Sequence, residues 1–416
     1  MVITEGKFLK RDLMDAGFLA PWIAEFGSSL EALEHSSPTV RGYTDSARHF
    51  AAWICHTGLQ LDDIGTVTVG SFARHHCQCA GARQWNSVSG KYARRAGRFV
   101  AFLAERGVVP GAPPVAAEII HPHIQNYQRW LAVHRGLSER SISRQVRLIK
   151  RLLPALGKDP QAYSAATIRA VIQAEAQRCS PSHTRTMTSA LRGFLRFLAA
   201  SGLCRPGLDQ AVPPVLQWRL SSLPRYLPTA DVERLIASCD PATPSDLRDR
   251  AVLLLLARLG LRAGDVCGLR LEDFDWPAGA VRVCGKSRCS VRLPLPQDVG
   301  DAVLAYIENG RPTAAVAVDR LFLRSKAPYR PLKTSSSISY IVARAVRRAG
   351  VTDPPSKGAG LLRHSAATTM LRAGASLEAV GAILRHRSPD MTAHYAKVDV
   401  IMLATIAQPW PGEASC

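Results

Sequence analysis

RAVLLLLARLGLRAGDVCGLRLEDFDW, residues 250–276, is the stretch that decides how this chain folds. Its run from Ala251 to Ala257 is apolar on every side, so a helix formed there belongs inside a core, and Gly260 ends it. A second helix is expected from near Gly264. Arg262 then falls in the tight turn between the two, where its backbone can fix it and aim the guanidinium into a cleft. Within a helix face the same arginine would read as a salt-bridge partner. The period then changes: Val281 and Val283, then Val291, Leu293 and Leu295 alternate, bounded by Pro277-Ala278-Gly279 and by Pro294 and Pro296. This predicts a β-hairpin with Lys286 near the tip of its CGKSRCS connection.

On either side the pattern returns to helix. Thr229 is the expected N-cap of a helix that buries Val232, Leu235 and Ile236, with Asp231 and Glu233 in its first turn. A basic helix is predicted from Ser339 to Gly350, and another opens at Leu361-Leu362-Arg363-His364-Ser365 and runs to Gly374. Ser376 caps the next, with Leu377, Val380 and Leu384 inward and His386 at its end. Ser388-Pro389 supplies an N-cap and a first-turn proline, so Tyr395 rides on a short helix about two turns later.

The chain has 416 residues, which points to more than one core, and proline-rich stretches at 109–115 and 205–228 divide it. Three domains are expected: 1–108, 115–205 and 222–416. The excess of 53 Lys+Arg over 33 Asp+Glu gives a formal net charge of +20, which favours a polyanionic partner. Neither a leader pattern in MVITEGKFLKRDLMDAG nor a spanning apolar run is evident, and the ten cysteines are scattered; a cytosolic chain with reduced thiols is expected. The cluster His75-His76-Cys77-Gln78-Cys79 is metal-like, yet no second Cys/His pair lies at finger spacing, so no metal site is expected there.

The first two domains read as small helical bundles and as diverged copies of one another. FVAFLAERGV at 99–108 aligns without a gap with FLRFLAASGL at 194–203, and each ends on a capping glycine, Gly107 and Gly202. In the second copy Ile142, Val146, Ile149 and Leu153 form an apolar stripe, opposed by Arg140, Arg144, Arg147 and Arg151. Met187, Leu191, Phe194 and Leu198 repeat the pattern against Arg185, Arg192 and Arg196. Arginine rows at this spacing suit contact with a duplex phosphate backbone. The first copy has a core face of Val40, Tyr43, Ala47, Phe50 and Ile54, but Arg41 and Arg48 sit among Asp45 and His49, so an accessory role is expected.

Taken in order, Arg262, Lys286, Arg363, His386 and Tyr395 in their local contexts make residues 222–400 resemble the tyrosine recombinase, or phage integrase, family. Residues 115–205 are similar to that family's core-binding domain. The resemblance implies a mainly α fold with a small antiparallel β-sheet in the catalytic domain. It implies a site-specific recombinase that cleaves and rejoins strands through a 3′-phosphotyrosine on Tyr395. Arg262 and Arg363 would grip the scissile phosphate, Lys286 would protonate the leaving 5′-hydroxyl, and His386 would bond the phosphate or orient the phenol. No metal, ATP or other cofactor is implied, and no membrane. The partners implied are double-stranded DNA and further copies of the chain, a dimer on a site and a tetramer in synapsis, with related recombinases as further partners. A cytoplasmic, nucleoid-associated location follows.

The chain departs from the family at two places. Gly360 stands where the family has a histidine three residues before its second arginine, so a group that could take the phenol's proton is missing. His364 follows Arg363 directly but lies about 100° further round the helix, so it is not expected to fill that role. On this reading Gly360→His would raise cleavage. A DNA-binding protein without catalysis is the competing expectation, and a type IB topoisomerase is a third. Arg385 stands where the family commonly has glycine. The segment VDVIMLATIAQPW after the nucleophile is expected to dock on a neighbouring protomer or on its own domain.

Overall fold

In a computed structural model the described residues are 15–77, 89–110, 122–215, 223–284, 290–313, 318–386 and 388–397. They fall into two compact units, residues 111–221 and residues 1–110 with 222–416. Lys286 and the segment after Lys397 lie outside the described residues.

Before the first proline-rich stretch come α1 (Ala20–Ala32), α2 (Ser37–Thr57), α3 (Thr66–Arg74) and α4 (Gly90–Glu105). The expected stripe on α2 is its buried face, with Ala47, Phe50 and Ile54 fully enclosed. Residues 122–200 form α5 (Pro122–Val133), α6 (Glu139–Leu156), α7 (Ala165–Arg178) and α8 (Pro181–Ala200). The resemblance between the two sets is physical. In each, the first helix packs on the second and fourth, the second on the fourth and the third on the fourth. Both fourth helices close the same way: Gly107 and Gly202 adopt φ of 71° and 70°, and Val108 and Leu203 donate back to the carbonyls of Leu103 and Leu198. That left-handed position is where glycine is required.

The remaining described elements begin with α9 (Thr229–Ala237), α10 (Pro244–Arg258) and α11 (Ala263–Gly268). The strands β1 (Phe274–Asp275), β2 (Ala280–Cys284) and β3 (Ser290–Pro294) follow, then α12 (Gln297–Asn309), α13 (Ser335–Arg348), α14 (Gly360–Arg372), α15 (Leu377–Leu384) and α16 (Pro389–Ala396). As its composition requires, α10 is the core helix: Ala251 to Leu256 are buried without a break, and α9, α11, α12, α13 and α14 pack around it. The strands form an antiparallel sheet in the order β1-β2-β3, with Val281 opposite Leu293 and Val283 opposite Val291. Two boundaries differ from expectation. The N-cap of α9 is Pro228 and not Thr229, and α13 starts at Ser335 instead of Ser339, because Thr334 and the serines after it supply a helix start that charge alone does not reveal.

No described helix is long and apolar enough to cross a membrane. The seven described cysteines are free thiols.

At the start of α10 the core encloses charge. Arg248, 7% exposed, donates through Nε and Nη2 to Asp249 Oδ1 at 3.0 and 2.6 Å and through Nη1 to the Leu323 carbonyl at 3.1 Å. Asp246 accepts from Arg344 at 2.5 Å and Arg348 at 2.7 Å, which ties α13 to α10. Removing one partner of such a pair strands the other charge away from water. Asp249→Ala should therefore cost about 3–5 kcal/mol in urea unfolding; a loss within measurement error would show that the pair is not held in the folded chain.

Candidate active site

The two arginines singled out in the sequence are brought together by one turn. Arg262 is the N-cap of α11; its backbone N–H donates to Asp265 Oδ2 at 3.1 Å, and its Nη2 donates to the carbonyl of Arg385 at 3.0 Å. Arg363 projects from α14, 8% exposed, and its Nη2 donates to the carbonyl of Leu384 at 2.6 Å while Nη1 donates to that of Gly260. The adjacent carbonyls at the end of α15 thus hold one guanidinium each. Gly260 makes the approach possible: its φ is +56°, and a Cβ there would run into the Leu384 side chain.

Arg385, the position that commonly carries glycine, has φ 56° at the C-cap of α15. A left-handed residue explains the glycine, and an arginine there costs about 1–2 kcal/mol of backbone strain. Its guanidinium offsets this by donating to Asp265 Oδ2 at 2.5 Å, the carboxylate that also caps Arg262. Arg385 Nε and Nη1 are buried without a hydrogen-bond partner. Sequence pattern gives this residue no role; the fold makes it a third guanidinium at the site.

Tyr395 lies on α16 and is 3% exposed, turned inward. Its hydroxyl is 2.8 Å from His364 Nδ1. This overturns the expectation that His364 points away. The 100° offset from Arg363 is real, but α16 packs on α14, and its phenol meets the side of the helix that His364 occupies. His386 stacks on the Tyr395 ring, centroids 6.2 Å apart and planes 4° from parallel, and its Nδ1 is 2.8 Å from Thr392 Oγ1. Gly360 leaves open space; a Cβ there would meet only His364 Cδ2 at 4.0 Å.

Burial and crowded cations set the protonation states. His386 is pulled down to about 4 by burial, then by Arg363 and Arg262, so it is neutral at pH 7. Burial, His394 and Arg363 lower His364 as well. Burial raises the Tyr395 phenol, and Arg363 and Arg262 pull it back. Arg363 is lowered by burial and by Arg262 to about 10, and stays cationic at neutral pH.

The seven arginines expected on a nucleic-acid face divide. Arg140, Arg144, Arg147 and Arg185 are exposed on α6 and α8. Arg151 pairs with Glu175 at 2.5 Å, Arg196 with Asp209 at 2.7 Å, and Arg192 donates to the carbonyls of Val212 and Pro213. Helical spacing finds a stripe; it does not find a partner arriving from another segment.

Residues 225–400 match the Phage integrase family. The tyrosine recombinase XerD of Mycobacterium tuberculosis is 34% identical over 230 residues, 54% of this chain and 71% of that one. Among solved structures, XerH recombinase bound to a palindromic difH substrate aligns with a TM-score of 0.54 at 18% identity, over 69% of this chain and 84% of that one. A lambda integrase dimer bound to a core site aligns at 0.53 and 19%, over 66% and 94%. These two likenesses bear on the fold. A Sinorhizobium fredii protein provisionally named an integrase/recombinase is 36% identical over 405 residues, 96% of each chain. With that relative spanning nearly its whole length, the chain belongs to the phage integrase family of tyrosine recombinases.

Proposed function

We propose that this chain is a site-specific DNA recombinase in which Tyr395 attacks the scissile phosphate and His364 takes the phenol's proton. The observation that carries the reading is the 2.8 Å contact between the Tyr395 hydroxyl and His364 Nδ1, in a pocket whose positive charge comes from Arg262 and Arg363. A neutral imidazole at hydrogen-bond distance is the acceptor a buried phenol needs. As the Tyr395 oxygen bonds to phosphorus, its proton passes to His364 and the P–O bond to the 5′-carbon's oxygen breaks. Lys286 would protonate that oxygen, as the family resemblance implies. The 3′-phosphotyrosyl linkage keeps the phosphodiester energy, and a 5′-hydroxyl from another strand reverses the step.

Arg262 and Arg363 bind the nonbridging oxygens, with the unpartnered N–H groups of Arg385 adding to the same positive field. His386, its Nδ1 engaged by Thr392, offers Nε2 to a phosphate oxygen. We assign residues 1–108 to an accessory domain, 115–205 to core DNA binding and 222–416 to catalysis. The lambda integrase dimer bound to a core site supports a dimer on each site; a tetramer in synapsis and a cytoplasmic, nucleoid-associated location extend the same reading. Arg140, Arg144, Arg147 and Arg185 supply the open phosphate contacts of the core-binding region, whereas Arg151, Arg192 and Arg196 first need release from their own chain. The alternative, DNA binding without catalysis, draws on Gly360 alone; with His364 on the phenol, Gly360→His is expected to leave cleavage unchanged instead of raising it.

On a nicked DNA substrate that traps the covalent complex, wild type should give a protein–DNA adduct and Tyr395→Phe none, with DNA retention intact; an adduct in the variant would move the nucleophile elsewhere. His364→Ala should slow adduct formation by about 10²- to 10⁴-fold at unchanged DNA affinity. Because His364 is lowered, it stays neutral below its ordinary value of 6.5, so the acid limb of the wild-type rate–pH profile should lie below that value and vanish in His364→Ala. An acid limb above it, or one that persists, would assign the proton to another group. Replacing Arg144 and Arg147 by alanine should weaken binding to all sequences and reduce the salt slope by about 0.9 for each phosphate no longer neutralised; an unchanged slope would take α6 off the DNA.

A further inference from the structure

His49, His75 and Cys77 bring their ligand atoms within 4.8 Å of one another in the first helical bundle. His49 comes from the middle of α2 and is 4% exposed; Cys77 follows α3 and is 5% exposed. His49 Nε2 lies 3.2 Å from Cys77 Sγ. His75 caps α3, and its Nδ1 lies 2.6 Å from the Phe72 carbonyl. A carbonyl only accepts, so Nδ1 carries the proton and Nε2 presents a lone pair. That Nε2 is buried and has no hydrogen-bond partner.

A backbone carbonyl holding one ring nitrogen while the other is left bare is the arrangement by which proteins orient a metal-binding histidine. The surroundings are dry: Phe72 stacks on His75 at 4.9 Å, Trp53 lies 5.7 Å away, and Tyr92 is 5.6 Å from His49. The separations, 3.2 Å for His49 Nε2 to Cys77 Sγ and within 4.8 Å for all three groups, bracket those of a tetrahedral centre. Bonds of about 2.1 Å to nitrogen and 2.3 Å to sulfur separate tetrahedral ligand atoms by roughly 3.4–3.8 Å. A simple S–H···N bond between Cys77 and His49 would account for two of the three groups and leave the His75 nitrogen stranded.

We propose that His49 Nε2, His75 Nε2 and Cys77 Sγ bind a zinc-class divalent cation that staples α2 to the end of α3. Binding releases the Cys77 thiol proton to solvent, and a solvent ligand completes the tetrahedron. Two imidazoles and one thiolate suit zinc over the hard oxygen-seeking cations. Cys79 lies outside the described residues. Finger spacing in the sequence could not show it, since His49 arrives from a helix 28 residues before Cys77.

The full-length protein, produced in zinc-supplemented medium and purified without chelator, should hold about one zinc per chain by elemental analysis. Chelation should lower its melting temperature and zinc, not magnesium, should restore it. Cobalt in place of zinc should give the visible bands of a four-coordinate site with a thiolate-to-cobalt charge-transfer band. Cys77→Ser should abolish that band; should it fold poorly, His75→Gln at the half-buried helix cap should lose the metal with unchanged helical circular dichroism. A wild type that holds no zinc and does not respond to it, or zinc content undiminished in His75→Gln, would overturn the proposal.

Discussion

One turn organises the catalytic half of this chain. The carbonyls of Leu384 and Arg385, neighbours in sequence, accept from Arg363 and Arg262, which come from segments more than a hundred residues apart from each other. Two like charges do not approach without help, and here backbone dipoles and the Asp265 carboxylate provide it. Gly260 lets α10 close on Leu384, and its own carbonyl accepts from Arg363. The residue after the turn is His386, so the element that gathers the arginines also delivers the imidazole that stacks on Tyr395.

The result is a pocket biased toward an anion. Arg262, Arg363 and Arg385 concentrate positive charge around a buried phenol, and the first two are one cause of the neutral state of His386. In the proposed mechanism this bias serves both ends of the step. It favours phenolate character on Tyr395 and stabilises charge on the phosphate, while the histidines stay uncharged and can accept or share protons. The αL arginine at 385 fits the same logic, since its strain is balanced by Asp265 and adds a guanidinium where glycine would add none.

Much of this is legible in the sequence, for definite reasons. The all-round apolar run 251–257 could only be a core helix, Gly260 had to end it, and Ser388-Pro389 had to start the helix that carries Tyr395. Each is a local rule that tertiary packing does not overrule. What stays hidden depends on segments crossing. His364 looks misdirected because a helical wheel knows its own helix and not that α16 packs on it. Arg151, Arg192 and Arg196 look like open phosphate contacts because Glu175, Asp209 and the carbonyls of Val212 and Pro213 come from elsewhere. His49 cannot be joined to His75 and Cys77 by spacing. Arg385 is opaque until its φ is known.

The central claim is a division of labour, with His364 accepting the proton of Tyr395 and Lys286 protonating the departing oxygen. Replacing the scissile 5′-oxygen of the DNA by sulfur tests it directly, because a thiolate leaves without a proton whereas the attacking phenol still has to lose one. Single-turnover cleavage of that substrate should be restored in Lys286→Ala and remain slow in His364→Ala. Restoration in His364→Ala, with Lys286→Ala still slow, would contradict it.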